Sequence, residues 1–170
     1  MSKLEKASHV SVILVSVAAL VCLLPALKKS VFPSPREAAT STLVGRKLEL
    51  PGVQWAPGGA SVVIAMNSKC PFCIASLPVY AQLSSLAGRS GGRLSLLVAS
   101  TTPDISGVEK LLTEHGVRAV QIVESSTGAL HVSGTPTTFI VDRSGVVRWV
   151  HLGQMDDSRE KELLRVLKML

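Results

Sequence analysis

Two cysteines separated by two residues, Cys70 and Cys73, are the side chains of this sequence best suited to chemistry. They belong to the tetrapeptide Cys70-Pro71-Phe72-Cys73, which follows an apolar run typical of a buried strand and begins a helical pattern. At a helix start, two cysteines with this spacing can close a small disulfide ring. The first cysteine then lies exposed at the helix tip, and the second points into the first turn. The pattern therefore predicts a reversible dithiol made of these two residues.

The start of a helix also favours a thiolate at Cys70, because free backbone N–H groups and the helix dipole provide partial positive charge there. Lys69 adds a positive side chain directly before it. Pro71 offers no N–H group, so the remaining amides of the first turn, the helix dipole and Lys69 must stabilise the thiolate. We predict that Lys69, Pro71 and Phe72 together tune the pKa of Cys70 to a value below that of free cysteine.

Two other interpretations of the cysteine pair remain open at this point. A structural zinc site needs four ligands, and the four histidines of the sequence form no second paired motif. Two buried cysteines without a chemical role would not explain the strand–motif–helix setting. We therefore predict neither a metal nor an organic cofactor.

The elements that would position the dithiol alternate along the chain. Strands are predicted at residues 61–66, 94–99, 119–123, 137–141 and 146–152, and helices at 71–87, 105–115 and 156–170. Pro78 should kink the first helix, and a turn at 142–145 makes the last two strands a hairpin. Buried strands that alternate with helices indicate an α/β domain, and the final hairpin makes its sheet mixed.

The N-terminal part has a different character. Residues 10–27 contain no charged side chain, and a helix of that length rises about 27 Å, near the hydrocarbon thickness of a bilayer. The residues at its end form a poor cleavage site for a signal peptidase, so we predict an uncleaved transmembrane helix. The chain then divides into a membrane anchor (1–29), a linker rich in Ser, Thr, Ala and Pro (30–45), and a globular domain (46–170).

Composition limits the classes of function. Hydrophobic residues make up 46% of the chain and charged residues 18%, which excludes a disordered chain. The net charge of +6 is scattered, and aromatic residues are only 4%, so the sequence lacks a stacking surface for nucleic acid. We predict no nucleic-acid partner.

With Pro78 five residues past Cys73, and with the segment Gly134-Thr135-Pro136 before a predicted strand, the chain resembles the thioredoxin superfamily. The resemblance implies a thioredoxin-like mixed β-sheet flanked by helices. It also implies a cis-proline at Pro136 that faces the disulfide, and a Thr135 backbone that pairs with the substrate. Together with the N-terminal anchor, the pattern is similar to membrane-anchored TlpA/ResA-like redoxins, and also to MauD-like proteins.

Three positions depart from the pattern of that superfamily. Lys69 stands where a tryptophan usually precedes the first cysteine. Ile64 stands where thioredoxins have a buried acid, and Ser76 stands where ResA-like proteins have a glutamate. The resemblance therefore names no proton acceptor for Cys73.

These observations predict a thiol-disulfide oxidoreductase in which Cys70 attacks a protein disulfide and Cys73 resolves the mixed disulfide. A protein disulfide or dithiol is the expected substrate, and a membrane electron donor or acceptor is a possible partner. We place the domain on the periplasmic side of the cytoplasmic membrane, where such disulfides persist. The distribution of lysine and arginine around the apolar run weakly favours the opposite orientation.

Two further functions remain as alternatives. A redoxin-type peroxidase needs Thr or Ser three residues before Cys70, where this chain has Asn67, and a loop proline where it has Val63. A copper-binding assembly protein would use Cys70 and Cys73 with a histidine such as His131, since soft thiolates suit Cu(I). The spacing of the two cysteines favours disulfide closure over copper binding.

Overall fold

The structure, a computed structural model, describes residues 41–170. The predicted anchor (1–29) and most of the predicted linker (30–45) lie outside the described residues. Within residues 41–170, none of the helices combines the length and the apolar character that crossing a membrane requires.

Five strands form one mixed sheet, as predicted. The strands are β1 (Ala60–Met66), β2 (Leu94–Ser100), β3 (Gln121–Glu124), β4 (Thr137–Asp142) and β5 (Val147–Leu152). Their order across the sheet is β3-β2-β1-β4-β5. The pairs β1–β2 and β2–β3 are parallel, whereas β4 is antiparallel to both β1 and β5. The central strand β1 is buried along its whole length, as expected for a strand covered on both faces.

The helices connect these strands and follow the last one. They are α1 (Pro71–Ala75), α2 (Leu77–Arg89), α3 (Ile105–Glu114) and α4 (Asp157–Lys168). The single kinked helix predicted at 71–87 is therefore two helices, with the break at Ser76. Pro78 explains the break, because it has no N–H group for the carbonyl four residues earlier and its ring crowds that carbonyl. It falls in the first turn of α2, where proline is tolerated.

Alternate residues of β1 point to two hydrophobic clusters. Val62, Ile64 and Met66 join one cluster with side chains of the helices, among them Tyr80 and Leu163. Val63 and Ala65 of β1 belong to a second cluster on the other face of the sheet. This cluster also contains Leu130 and the buried leucines of residues 43–50. The helices thus pack on the face to which Ile64 points.

Packing contacts of the domain include residues before position 46, the predicted start of the globular domain. Leu43 is buried in the second cluster, although it belongs to the predicted linker 30–45. The N–H of Gly45 donates to the carbonyl of Val147 over 2.8 Å, and Lys47 pairs with Val146 as an isolated bridge. The packed domain therefore extends at least to Leu43.

Candidate functional site

The sheet brings the cysteine motif and the Thr135-Pro136 segment together. Strand β1 ends at Met66, and four residues later Cys70 caps the N-terminus of α1. Strand β4 is antiparallel to β1 and begins at Thr137, whose Cα partner is Ala65 near the end of β1. The residues directly before β4 therefore lie beside the cysteines, 65 positions along the chain.

The two cysteines are free thiols with different environments. Cys70 is partly exposed, and its Sγ accepts a hydrogen bond from the backbone N–H of Cys73 over 3.3 Å. The same sulfur lies 3.4 Å from the carbonyl oxygen of Thr135, to which its thiol donates. Cys73 is completely buried and belongs to the cluster beneath α1 and α2. The Cys70 sulfur is therefore accessible to another molecule, whereas the Cys73 sulfur is shielded from solvent.

This asymmetry separates the acidities of the two thiols. Burial acts to raise the pKa of Cys70, but hydrogen bonds with the side chains of Cys73 and Thr135 and with the backbone N–H groups of Cys73 and Phe72 outweigh it and hold the pKa below the ordinary cysteine value. Burial, followed by the hydrogen bond to Cys70, raises the pKa of Cys73 to about 12. Cys70 is thus the more acidic of the two thiols, and Cys73 stays protonated at neutral pH.

The three residues predicted to tune the pKa of Cys70 differ in their contacts with it. Pro71 begins α1 and Phe72 contributes through its backbone N–H. Lys69 is exposed, and the main contacts that shift the pKa of Cys70 do not include it. Its charge instead helps, after hydrogen bonds from Ser68 and Gly107, to hold the pKa of Asp104 low.

The peptide bond between Thr135 and Pro136 is cis, as the resemblance implies. Pro136 is buried and Thr135 is partly exposed. The Nδ2 of Asn67 donates to Thr135 Oγ1 over 3.4 Å, and the Oδ1 of Asn67 accepts from the N–H of Lys69 over 3.0 Å. Asn67 therefore joins the loop before Cys70 to the loop before β4, a role that the sequence analysis missed. Its position directly after β1 is the only signal that could have indicated it.

Two large apolar side chains of α1 are exposed. Phe72 is 59% exposed and Ile74 is 41% exposed, and they flank the buried Cys73 in the sequence. Both belong to the helix that Cys70 caps.

Below the dithiol lies a cluster of buried hydroxyl groups. Ser76 and Thr138 are fully buried, and so is Tyr80. The Oη of Tyr80 and the Oγ1 of Thr138 are 3.3 Å apart and share a hydrogen bond. In the sequence, Ser76 stands out only as a departure from the ResA-like pattern. No sequence pattern distinguishes Tyr80 or Thr138 from hydroxyl residues elsewhere in the chain.

His131 does not approach the cysteines as a copper site would require. It lines a cavity of about 200 Å³ with residues that include Leu43, Lys47 and Phe139. Within residues 41–170, no group of three or more His, Cys, Asp or Glu side chains is arranged to hold a metal ion.

Neither a family model nor a curated protein matches the chain. Solved structures do. A secreted Mycobacterium tuberculosis disulfide oxidoreductase homologous to E. coli DsbE is 15% identical, with a TM-score of 0.53 over 68% of this chain and 84% of that one. A thiol:disulfide interchange protein of the thioredoxin family from Chlorobium tepidum is 19% identical, with a TM-score of 0.54 over 67% of this chain and 81% of that one.

A thiol-disulfide isomerase from Corynebacterium glutamicum is 20% identical, with a TM-score of 0.53 over 73% of this chain and 91% of that one. Together with the strand order and the cis bond at Pro136, these similarities establish a thioredoxin-like fold for the described domain. The predicted thioredoxin-like mixed sheet flanked by helices is thereby confirmed, whereas the predicted N-terminal transmembrane helix stays a prediction.

Proposed function

We propose that the protein is a thiol-disulfide oxidoreductase that exchanges disulfides with protein clients through Cys70 and Cys73. The observation that supports this most strongly is the inequality of the two thiols. Cys70 is partly exposed at the start of α1 with a lowered pKa, whereas Cys73 lies buried beneath it with a pKa of about 12. A nucleophile that can meet a client and a resolving thiol that cannot are what sequential disulfide exchange requires.

The reaction proceeds in two exchanges. The Cys70 thiolate attacks one sulfur of a client disulfide, which forms the Cys70–client bond and releases the other client sulfur as a thiolate. Cys73 then attacks the Cys70 sulfur and loses its proton, the client leaves as a thiol, and Cys70 and Cys73 become joined. The two electrons have passed to the client, and the reverse sequence oxidises a client dithiol.

The client binds beside Thr135 and Pro136. The carbonyl of Thr135 already lies 3.4 Å from the Cys70 sulfur, so a chain linked to that sulfur meets the Thr135 backbone first. The exposed side chains of Phe72 and Ile74, in the helix that Cys70 caps, offer apolar contact to the client. This arrangement suits an extended client segment with an apolar residue close to its cysteine.

The domain lies on the periplasmic side of the cytoplasmic membrane, attached through the anchor 1–29 and the linker 30–45. The uncharged run 10–27 and the chemistry of disulfides, which persist outside the cytoplasm, support this proposal. A membrane protein that donates or accepts electrons is the corresponding partner. In intact spheroplasts, a thiol reagent that cannot cross the membrane should label reduced Cys70; labelling only after lysis contradicts the orientation.

The peroxidase and copper alternatives gain no comparable support. The amide of Asn67 is engaged with Thr135 and Lys69, where a peroxidase needs a hydroxyl to orient peroxide. The cavity that His131 lines does not include Cys70 or Cys73. His131 therefore gives the cysteines no third copper ligand.

Disulfide exchange with the purified full-length protein tests the function. The reduced protein should reduce a protein disulfide, such as that of insulin, and should itself become oxidised between Cys70 and Cys73. The Cys70→Ser variant should lose this activity. A wild-type protein that consumes peroxide, or that retains stoichiometric copper, without exchanging disulfides contradicts the proposal.

A further inference from the structure

A closed set of hydrogen bonds connects the loop before Cys70 to the segment before β4. The carbonyl of Asn67 accepts from the N–H of Cys70 over 3.4 Å, and its Oδ1 accepts from the N–H of Lys69 over 3.0 Å. The Nδ2 of Asn67 donates to Thr135 Oγ1 over 3.4 Å, and the Thr135 carbonyl accepts from the Cys70 thiol over 3.4 Å. Asn67, Thr135 and Cys70 are therefore each joined to the other two.

The backbone of Thr135 has few partners within the described part of the chain. Pairing of β4 with β1 begins only at Thr137, two residues later. Within residues 41–170, no backbone group bonds to the N–H or the carbonyl of Thr135, and the Cys70 thiol is the group that donates to this carbonyl. Because Thr135 is partly exposed, these two backbone groups can pair with an extended chain.

The bond from Cys70 to Thr135 depends on the state of the sulfur. A thiolate has no proton to donate, and neither has the Cys70 sulfur once it is linked to a client. Loss of this bond frees the Thr135 carbonyl for the client, but it also removes one of the two links between Thr135 and the cysteine loop. The amide of Asn67 neither titrates nor exchanges disulfides, so its bond to Thr135 Oγ1 is independent of the state of Cys70.

The other contacts of this segment come from elsewhere in the fold. The N–H of Gly153 donates to the carbonyl of Pro136 over 2.8 Å, and Thr137 Oγ1 donates to the carbonyl of Gly134 over 2.7 Å. Neither contact includes a residue of the cysteine loop. During exchange, therefore, the Asn67 side chain is what relates the position of Thr135 to that of Cys70.

We propose that Asn67 is a positioning residue for client binding. Through Thr135 Oγ1 it holds the Thr135 backbone beside Cys70 while the Cys70 sulfur is ionised or linked to a client. This inference rests on the proposed thiol-disulfide exchange. A peptide segment then meets hydrogen-bonding groups already fixed near the sulfur that it must reach, which lowers the ordering cost of binding. A small disulfide without a peptide backbone gains nothing from this arrangement.

Reduction of two different disulfides tests this role. Second-order rate constants are measured for the reduced full-length protein with insulin, a protein disulfide, and with dithionitrobenzoate, a small disulfide without a peptide backbone. Asn67→Ala removes the bond to Thr135, so the ratio of the insulin rate constant to the dithionitrobenzoate rate constant should fall about two- to tenfold, as expected for one lost hydrogen bond. A general loss of structure would slow both reactions and would not lower the ratio.

Thr135→Val is the second variant, because it removes the same bond from the other side. It keeps the Thr135 backbone and leaves the bonds of Asn67 to Lys69 and Cys70 in place. The ratio should fall by a similar factor. In the combined Asn67→Ala/Thr135→Val variant the ratio should be no lower than in the more affected single variant, because both substitutions remove one shared interaction.

Ser68→Ala is the matched control. Ser68 is the next residue of the same loop and is partly exposed like Asn67, but its Oγ donates to Asp104 over 2.6 Å and not to Thr135. Its ratio should equal that of the wild type. An unchanged ratio in Asn67→Ala or in Thr135→Val, effects that multiply in the combined variant, or an equal fall in Ser68→Ala overturns the inference. If the wild type reduces neither disulfide, or if Cys70→Ser reduces insulin as fast as the wild type, the proposed function itself fails.

Discussion

The backbone N–H of Met155 donates a hydrogen bond to Ser76 Oγ over 3.0 Å. Two residues earlier, the N–H of Gly153 donates to the carbonyl of Pro136 over 2.8 Å. The loop between β5 and α4 therefore contacts both the end of α1 and the cis-proline. It links the helix that begins at the cysteines to the Thr135-Pro136 segment.

Ser76 should be important for stability, although it has no part in the electron transfer. Its Oγ donates to the carbonyl of Phe72 and accepts from Met155. Ser76→Ala leaves the buried N–H of Met155 without its acceptor, which should lower the free energy of unfolding by about 1–3 kcal/mol. Urea denaturation of the reduced protein measures this, with the exposed Ser85→Ala on α2 as control. A loss below about 0.5 kcal/mol, the usual range of surface substitutions, contradicts the bridging role.

The unequal exposure of the two sulfurs predicts unequal trapping of clients. In a Cys22→Ser background, which removes the third cysteine of the chain, Cys73→Ser should accumulate a mixed disulfide on Cys70 because the resolving thiol is absent. Cys70→Ser should trap little, since Cys73 is completely buried. Non-reducing gels of native membranes compare the two variants, and equal trapping by both disproves the assignment of nucleophile and resolving thiol.

The lowered pKa of Cys70 has a direct consequence for reactivity. Because the thiolate is the reactive form, alkylation of the reduced protein should reach half its maximum at a pH below the value of about 8.5 for free cysteine. As pH rises through the Cys70 pKa the rate should rise and then level off, and Cys73 should remain unreactive up to pH 10 or so, since its pKa is about 12. Iodoacetamide kinetics with mass mapping measure both profiles.

Lys69→Ala separates charge from hydrogen bonding as the origin of this shift. Because Lys69 is exposed and hydrogen bonds dominate at Cys70, the substitution should raise the pKa of Cys70 by less than about 0.5 unit. The alkylation profile measures this change. A larger increase in the pKa of Cys70 contradicts this prediction and means that the Lys69 charge contributes strongly to the shift.

The sequence predicted the parts of the site that depend on neighbouring residues. The dithiol at a helix start, the interruption caused by Pro78 and the strand after Pro136 all follow from local patterns. Contacts between residues far apart in the chain could not be predicted from the sequence. Tyr80 hydrogen-bonds Thr138, 58 positions away, and Ser76 hydrogen-bonds Met155, 79 positions away. A buried hydroxyl has no distinctive sequence signal, because Ser and Thr also occur throughout loops and surfaces. The burial of Leu43, inside the predicted linker, also has no sequence signal, because one leucine in a polar segment shows no periodicity.

Stabilisation of the Cys70 thiolate also bears on the redox potential. It favours the reduced form, so we predict a potential between about −120 and −230 mV, more oxidising than that of thioredoxin. The absence of a buried acid among residues 41–170 leaves the Cys70 hydrogen bonds as the main local influence. A glutathione redox titration measures the potential. A value near about −270 mV or below contradicts the prediction and favours a thioredoxin-like reductase.

Phe72 offers the clearest way to separate client binding from thiol chemistry. Its backbone N–H helps to lower the pKa of Cys70, whereas its side chain is 59% exposed. Phe72→Ser keeps the N–H and removes the apolar surface, so the pKa and the reaction with a small disulfide should change little. The kcat/KM for a protein client should fall about five- to thirtyfold, as expected for the loss of about 1–2 kcal/mol of apolar contact. Val120→Ser, at another exposed apolar residue, is the matched control. Equal losses with the small disulfide and the protein client would place the effect in the chemistry of Cys70 and remove Phe72 from the docking surface.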